Sequence, residues 1–253
     1  MSDFASAGKA PEVEMAELVS QSHKPTLTGS VSDVVPGTGV SYVTVTIAGR
    51  GVKAKLDASR TTWTVTWPRS LSDGVYNVGL LARDNAGNVT TEVVTAGLTV
   101  DSVKPTVSIT TSQVSPTGVQ TLAGTVTDKL RSSGISSVLV MLNGETHTAA
   151  VDGNAWSVTV TPSLSTGLYS VITVALDNAG NAGSAVSVLR VSASGASSGV
   201  GSGLAGLLST SARTLARAVD TVLARAPDAA EEVLPRLTTL RCVNDLALSL
   251  LGY

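Results

Sequence analysis

The chain has 253 residues, enough for two or three small domains with real cores, and a formal charge of −2 that offers no basic field for holding phosphates, which argues against nucleic acid as a partner. Aromatic residues make up only 3% and charged residues 14%, while Val, Thr, Ser, Ala and Gly dominate, a mix that favours many short strands with small, β-branched interiors. The single cysteine, Cys242, excludes an intrachain disulfide, so stability has to come from packing.

Residues 1–23 form an acidic leader, with Asp3, Glu12, Glu14 and Glu17 against Lys9, and carry the short apolar pattern Val13, Met15, Leu18, Val19. This reads as an N-terminal arm, either frayed or ordered as a short helix on a partner. It lacks the basic start and apolar run of a secretory signal, so standard Sec export is disfavoured. No stretch reaches the ~18 uninterrupted apolar residues of a membrane span, because Arg213, Arg217 and Asp220 break the best candidate.

From Lys24 the chain repeats itself. Thr26 to Asp33 (TLTGSVSD) matches Thr121 to Asp128 (TLAGTVTD), and both alternate apolar and polar residues with the period of two that marks a strand with one buried face. Val43–Ile47 and Val138–Leu142 follow, each leading into a turn, Ala48-Gly49-Arg50-Gly51 in the first copy and Asn143-Gly144-Glu145 in the second. Asn-Gly is a strong hairpin signal because both positions tolerate positive φ. Trp63 and Trp156 then occupy equivalent strand positions, one indole to anchor the core of each unit. Bends at Leu71–Gly74 and Leu164–Gly167 lead into strands that end in the same pentapeptide, Asp84-Asn85-Ala86-Gly87-Asn88 and Asp177-Asn178-Ala179-Gly180-Asn181. Each unit carries about seven short strands with turn signals every ~8–12 residues, the pattern of an immunoglobulin-like sandwich.

The residues Gly74-Val75-Tyr76-Asn77-Val78, the run Ala82 to Asn88 and the joint Val100 to Val107 (VDSVKPTV) resemble the bacterial Ig-like repeats of surface adhesins and tailed-phage virion proteins, and Gly167-Leu168-Tyr169-Ser170-Val171 with Asp177 to Asn181 repeats the likeness. It covers about residues 24–192. The resemblance implies a mainly β chain of two tandem Ig-like β-sandwiches, domain 1 over 24–102 and domain 2 over 103–192, in a family defined by its scaffold and without a fixed catalytic set.

Residues 193–203 read as a Gly/Ser linker, after which the period changes. Leu204, Leu208, Leu215, Val219 and Val222 fall at helical spacings, so 203–225 is expected to be an amphipathic helix, and Leu237, Leu240, Val243, Leu246 and Leu250 continue the pattern. Residues 204–253 are thus expected to form a C-terminal α-helical region. Its apolar stripe suits folding back as a small domain, self-association or docking into an assembly; the long hinge favours oligomerisation or anchoring.

The chain offers little chemistry. Gly201-Ser202-Gly203-Leu204-Ala205-Gly206 satisfies G-x-G-x-x-G, but it follows a loose linker rather than a strand, which excludes a dinucleotide fingerprint. His23 and His147 have no partner motif and read as solvated polar residues. Asp33, Asp84, Asp101, Asp128 and Asp177 lie at predicted strand ends, where carboxylates converging between modules are what an interdomain calcium would require. Local turn capping explains the same residues and is the preferred reading. Tyr76 and Tyr169 resemble the tyrosine corner of Ig-like sandwiches. That leaves Tyr42, Trp67 and Tyr253 as aromatics available to a sugar-binding face.

The function expected is therefore non-enzymatic: a structural or attachment protein displaying its modules on a tailed-phage virion, as a capsid decoration or tail-fibre component assembled in the host cytoplasm. Its expected partners are other virion proteins or further copies of the chain through the C-terminal helices, and host-cell surface glycans or proteins at the displayed modules. The alternative is a non-Sec-secreted bacterial adhesin or biofilm-matrix protein at the cell surface. No catalytic, cofactor-binding or metal-ligating residue is assigned.

Overall fold

The computed structural model describes residues 8–33, 37–129 and 132–193. The expected helical region 204–253, nearly all of the linker before it, Cys242, Tyr253 and the Gly201–Gly206 stretch lie outside the described residues. Every regular element among the described residues is a β-strand, and the chain forms two compact units, the first running to Ser102 and taking in Ser133, the second made by the rest.

Unit 1 holds β1 (Glu12–Glu14), β2 (Leu18–Ser20), β3 (Thr26–Ser32), β4 (Val40–Ile47), β5 (Arg50–Lys53), β6 (Lys55–Leu56), β7 (Thr62–Thr66), β8 (Gly74–Asp84) and β9 (Val89–Val100). They form two sheets, β1-β3-β7-β6 and β2-β9-β8-β4-β5. The alternation in β3 turns Leu27 and Val31 inward, and that in β4 turns Val43, Val45 and Ile47 inward to meet Val78, Leu80 and Ala82 of β8. Burying such side chains at roughly 1.5–3 kcal/mol each supplies most of what holds the sheets together.

The leader is not a free arm or a short helix over its second half. Residues 12–20 supply β1, antiparallel to β3, and β2, parallel to β9, so this one segment contributes a strand to both sheets. Three-residue strands are too short to show a period, and the charges at Glu12 and Glu14 point outward on either side of buried Val13.

Unit 2 repeats the arrangement with β10 (Thr106–Ile109), β11 (Gln113–Val114), β12 (Thr121–Thr127), β13 (Ile135–Leu142), β14 (Glu145–Thr148), β15 (Ala150–Asp152), β16 (Ala155–Thr159), β17 (Gly167–Asp177) and β18 (Ala182–Val191). Its sheets are β10-β12-β16-β15 and β11-β18-β17-β13-β14. The hairpin turns match the sequence reading: Ala48 and Gly49 have φ of 50° and 74°, Asn143 and Gly144 of 52° and 79°, with both turn residues left-handed as a two-residue hairpin requires.

In both cores a mid-strand glycine lies under an indole. Gly29 pairs with Trp63 across β3 and β7, and Gly124 with Trp156 across β12 and β16. Trp63 Nε1 donates to the Ser30 carbonyl at 3.1 Å and Trp156 Nε1 to the Ser108 carbonyl at 2.9 Å, so each buried ring also has its polar edge satisfied. A Cβ on Gly29 would collide with the Glu14 carbonyl and stand 2.5 Å from the Trp63 ring; on Gly124 it would collide with the Ser108 carbonyl and stand 2.6 Å from Trp156.

Gly29→Ala and Gly124→Ala should therefore each lower stability by about 2–3 kcal/mol, read from urea unfolding followed by tryptophan fluorescence. Gly79→Ala, whose added methyl meets nothing nearer than 3.4 Å, is the control and should stay within about 0.5 kcal/mol of the parent. Thr173 is fully buried and its Oγ1 has no hydrogen-bond partner among the described residues, so Thr173→Val should raise the stability of the full chain by about 1 kcal/mol in the same measurement.

Candidate functional site

The acidic residues picked out in the sequence gather at the loop pole of each sandwich. In unit 1, β8 ends at Asp84, which turns its buried carboxylate back into its own loop. Oδ1 accepts the Gly87 amide at 2.7 Å and the Asn88 amide at 2.8 Å, and Oδ2 accepts Asn88 Nδ2 at 2.7 Å. The turn needs a glycine at Gly87, where φ is 101°. Asn85 reaches the neighbouring loop, donating from Nδ2 to the Thr38 carbonyl at 2.8 Å and from its backbone to the Gly39 carbonyl at 3.0 Å. Asp33 closes the other side: its Oδ2 accepts the Gly39 amide at 2.7 Å, while its Oδ1 has no hydrogen-bond partner among the described residues.

Unit 2 rebuilds the pole with its own copies. Asp177 Oδ1 accepts the Asn181 amide and Oδ2 accepts Asn181 Nδ2, both at 2.8 Å, and Gly180 has φ of 87°. Asp128 Oδ2 accepts the Gly134 amide at 3.1 Å, and the Asn178 amide donates to the Gly134 carbonyl at 2.9 Å. Carboxylate oxygens of Asp128 and Asp177 come within 4.8 Å of one another. Asp101, just past β9, is buried, and its amide donates to the Ser20 carbonyl at 2.9 Å. What the carboxylates visibly do is lock turns through local amides.

Electrostatics follow from that use. Burial pushes the Asp84 carboxyl up, but the Asn88 side chain and the amides of Asn88, Gly87 and Ala86 outweigh it and leave the group below its ordinary 3.8. Asp57, unremarked in the sequence, is another such anchor: the Ser59 hydroxyl and the Thr62 amide hold it down at about 2 against burial, with Thr61 assisting. Its Oδ1 accepts the Thr61 amide at 2.8 Å and the Thr62 amide at 2.9 Å. The order Asp57-x-Ser59-x-Thr61 carried the signal, a side chain bonding the backbone of its own turn.

The remaining candidates take structural posts. His23 is not merely solvated: its Nε2 lies 3.1 Å from both Asp73 Oδ1 and Ser102 Oγ. Burial pushes the Asp73 carboxyl up, but His23 and Ser102 together hold it below the ordinary value. His147 Nε2 stands 3.9 Å from Glu145 Oε2 beside a cavity of about 150 Å³ lined also by Tyr169, Pro162 and Ser165. Both tyrosines form the expected corner, Tyr76 Oη donating to the Ser72 carbonyl at 2.8 Å and Tyr169 Oη to the Ser165 carbonyl at 3.0 Å.

Trp67 belongs to the core at 2% exposure, which removes it from the aromatics open to a sugar; Tyr42 is half-buried with Lys53 Nζ 5.0 Å from its ring. The sequence reading missed Gln120, a fully buried amide whose Nε2 donates to the Ser115 and Leu164 carbonyls and whose Oε1 accepts the Leu164 amide. A lone glutamine in a turn-rich stretch gives no signal of such a post.

A family described as "Bacterial Ig-like domain" matches residues 13–102, and a second of the same description matches 97–189. No curated protein sequence matches the chain. Among solved structures the chain is similar to the fibronectin(III)-like modules of Clostridium thermocellum CbhA, with 19% identity and a TM-score of 0.47 over 74% of this chain and 97% of that one. It is also similar to a bacterial ice-binding adhesin described for host cell surface retention (22% identity, TM-score 0.34, 73% of this chain and 65% of that one). A tetra-tandem repeat in the extending region of a large adhesion protein shows 25% identity and a TM-score of 0.33 over 73% of this chain and 49% of that one.

A carboxylate held below its unfolded value stabilises the fold in full above that value and loses the contribution as pH falls through the folded one. Asp57→Asn and Asp84→Asn should each lower the melting temperature at pH 7, and the gap to the parent, followed by circular dichroism, should close as pH falls below 3.8, toward about 2 in the case of Asp57.

Proposed function

We propose that this chain, which belongs to the bacterial Ig-like domain family through residues 13–102 and 97–189, is a non-enzymatic surface-display protein whose paired modules are held outward from a tailed-phage particle. The observation that carries the non-enzymatic part is the use made of the polar groups at both loop poles. Asp84, Asn85 and Asn88, and their copies Asp177, Asn178 and Asn181, have their hydrogen-bonding capacity directed into their own turns and the adjacent loop. Groups so committed hold loops in place rather than shuttle protons, since a general acid or base needs a free face toward substrate.

What the modules then offer is rigid surface. On unit 1, Val75 and Val93 are exposed beside Gly79 and Thr46 around a shallow groove, a chemistry suited to contact with another protein. The single-copy segment 204–253, with its apolar spacing, is assigned the attachment end, joining other virion proteins or further copies of the chain. Host-surface proteins or glycans are the proposed targets of the exposed modules.

The second setting, display on a bacterial surface as an adhesin, is favoured by the family itself, whose modules are described as bacterial. The two settings separate cleanly in a fractionation experiment with an antibody to the chain. Co-purification with phage particles through a density gradient, with no signal on uninfected cells, is expected; signal on the surface of uninfected cells and none in particles would place it as an adhesin.

A further inference from the structure

The two units share one topology but differ in what they show on the outer face of the five-stranded sheet. In unit 1 that face carries Thr44, Thr46, Gly79, Leu81, Arg83 and Val93, and it meets solvent, with Val93 65% exposed. At the same ladder positions unit 2 has Leu139, Met141, Ile172, Val174, Leu176 and Val186, an apolar patch bordered by Ser184 on β18 and by Thr146 and Thr148 on β14. Alternation fixes the direction: Val138, Val140 and Leu142 belong to the core cluster of unit 2, as do Val171 and Ala175, whereas Leu139, Ile172, Val174 and Leu176 between them do not.

These outward residues are nevertheless removed from water. Leu139 is 7% exposed, Ile172 4%, Val174 0% and Leu176 7%. β13, β17 and β18 pair with one another and with β11 and β14 inside their own sheet, and the opposing sheet meets them through the core cluster on the other face. A sheet face of this composition is stable only when covered, because each exposed Val, Leu or Ile forgoes its burial.

We propose that this face is the docking site of the chain's own residues 203–225, laid across the sheet as an amphipathic helix. Leu204, Leu208, Leu215, Val219 and Val222 form the stripe that meets it, and Arg213, Arg217 and Asp220 fall elsewhere on the wheel. Length agrees, since 23 helical residues span about 35 Å and the eleven residues of β17 about 36 Å. Reach agrees as well. The described chain leaves β18, a strand of this same sheet, at Val191, and the residues up to 203 extend to about 40 Å, enough to return to any point of the face. The docked stripe adds a helical layer to module 2 and narrows the attachment end proposed above from 204–253 to 226–253, whether the chain sits on a particle or on a cell.

Limited trypsin digestion of the full chain tests this, with cleavage after Arg213 and Arg217 followed by mass spectrometry. Val174→Lys should accelerate both cleavages by about tenfold or more, because proteolysis tracks the population of the undocked segment. Leu81→Lys, at the same place in unit 1, should change neither. Leu215→Asp keeps the test informative if Val174→Lys disturbs the sandwich: it lies in the segment itself, and it should give the same acceleration while circular dichroism of the β-sheet stays unchanged. Equal cleavage rates in the parent, Val174→Lys and Leu215→Asp would overturn the proposal. So would protection of the parent that fades on dilution, since the face would then be covered by a second copy.

Discussion

Each sandwich depends on one close approach, a strand backbone stripped of its side chain so that an indole can lie against it. Gly29 and Gly124 are the only residue type that fits between a neighbouring carbonyl and the ring of Trp63 or Trp156. In a chain with so few aromatics, those rings supply the largest volumes in their cores, and truncating a buried Trp costs about 3–5 kcal/mol. The glycine that would weaken an ordinary strand is therefore the condition for packing the sheets at all. The small β-branched residues around it can fill the rest because the indole has already set the spacing.

Around that shared centre the modules solve their far ends differently. Unit 1 buries a second indole, Trp67, where unit 2 has Val160. Unit 2 instead buries Gln120, whose amide ties the loop at Ser115 to the one at Leu164. A hydrophobic plug and a saturated hydrogen-bond cross-brace do the same job, closing the bottom of a sandwich, by opposite chemistry. The amide is tolerable in the interior because three bonds replace the water it gives up.

Much of this was legible in the sequence. The period of two in Thr26–Ser32, the Asn-Gly turn at 143–144, the paired tryptophans and the twin pentapeptides identify the modules, since repetition reports what both copies must satisfy. What escaped notice lacked either a period or a duplicate. The strands Glu12–Glu14 and Leu18–Ser20 are too short to alternate, and Asp57 acts on its own turn. Trp67 has no counterpart in the other module and was open to reading as a surface aromatic. Of the candidate site, both the positions of the acids at strand ends and their capping of local turns were readable, because Asp and Asn beside glycine bond their own turns; which amide each oxygen takes depends on loop conformation that no spacing encodes.

The short strands β2 and β11 carry a further consequence. Each lies parallel along one end of the outermost long strand of its sheet, Leu18–Ser20 on Leu98–Val100 and Gln113–Val114 on Arg190–Val191. Two similar modules tethered on one chain have an effective concentration in the millimolar range, so an open strand edge in one is a standing invitation to pair with the other during folding. Occupying that edge with a local segment closes it before a distant strand can arrive. Fidelity of folding in a tandem repeat thus rests on a few residues whose contribution to the finished core is small.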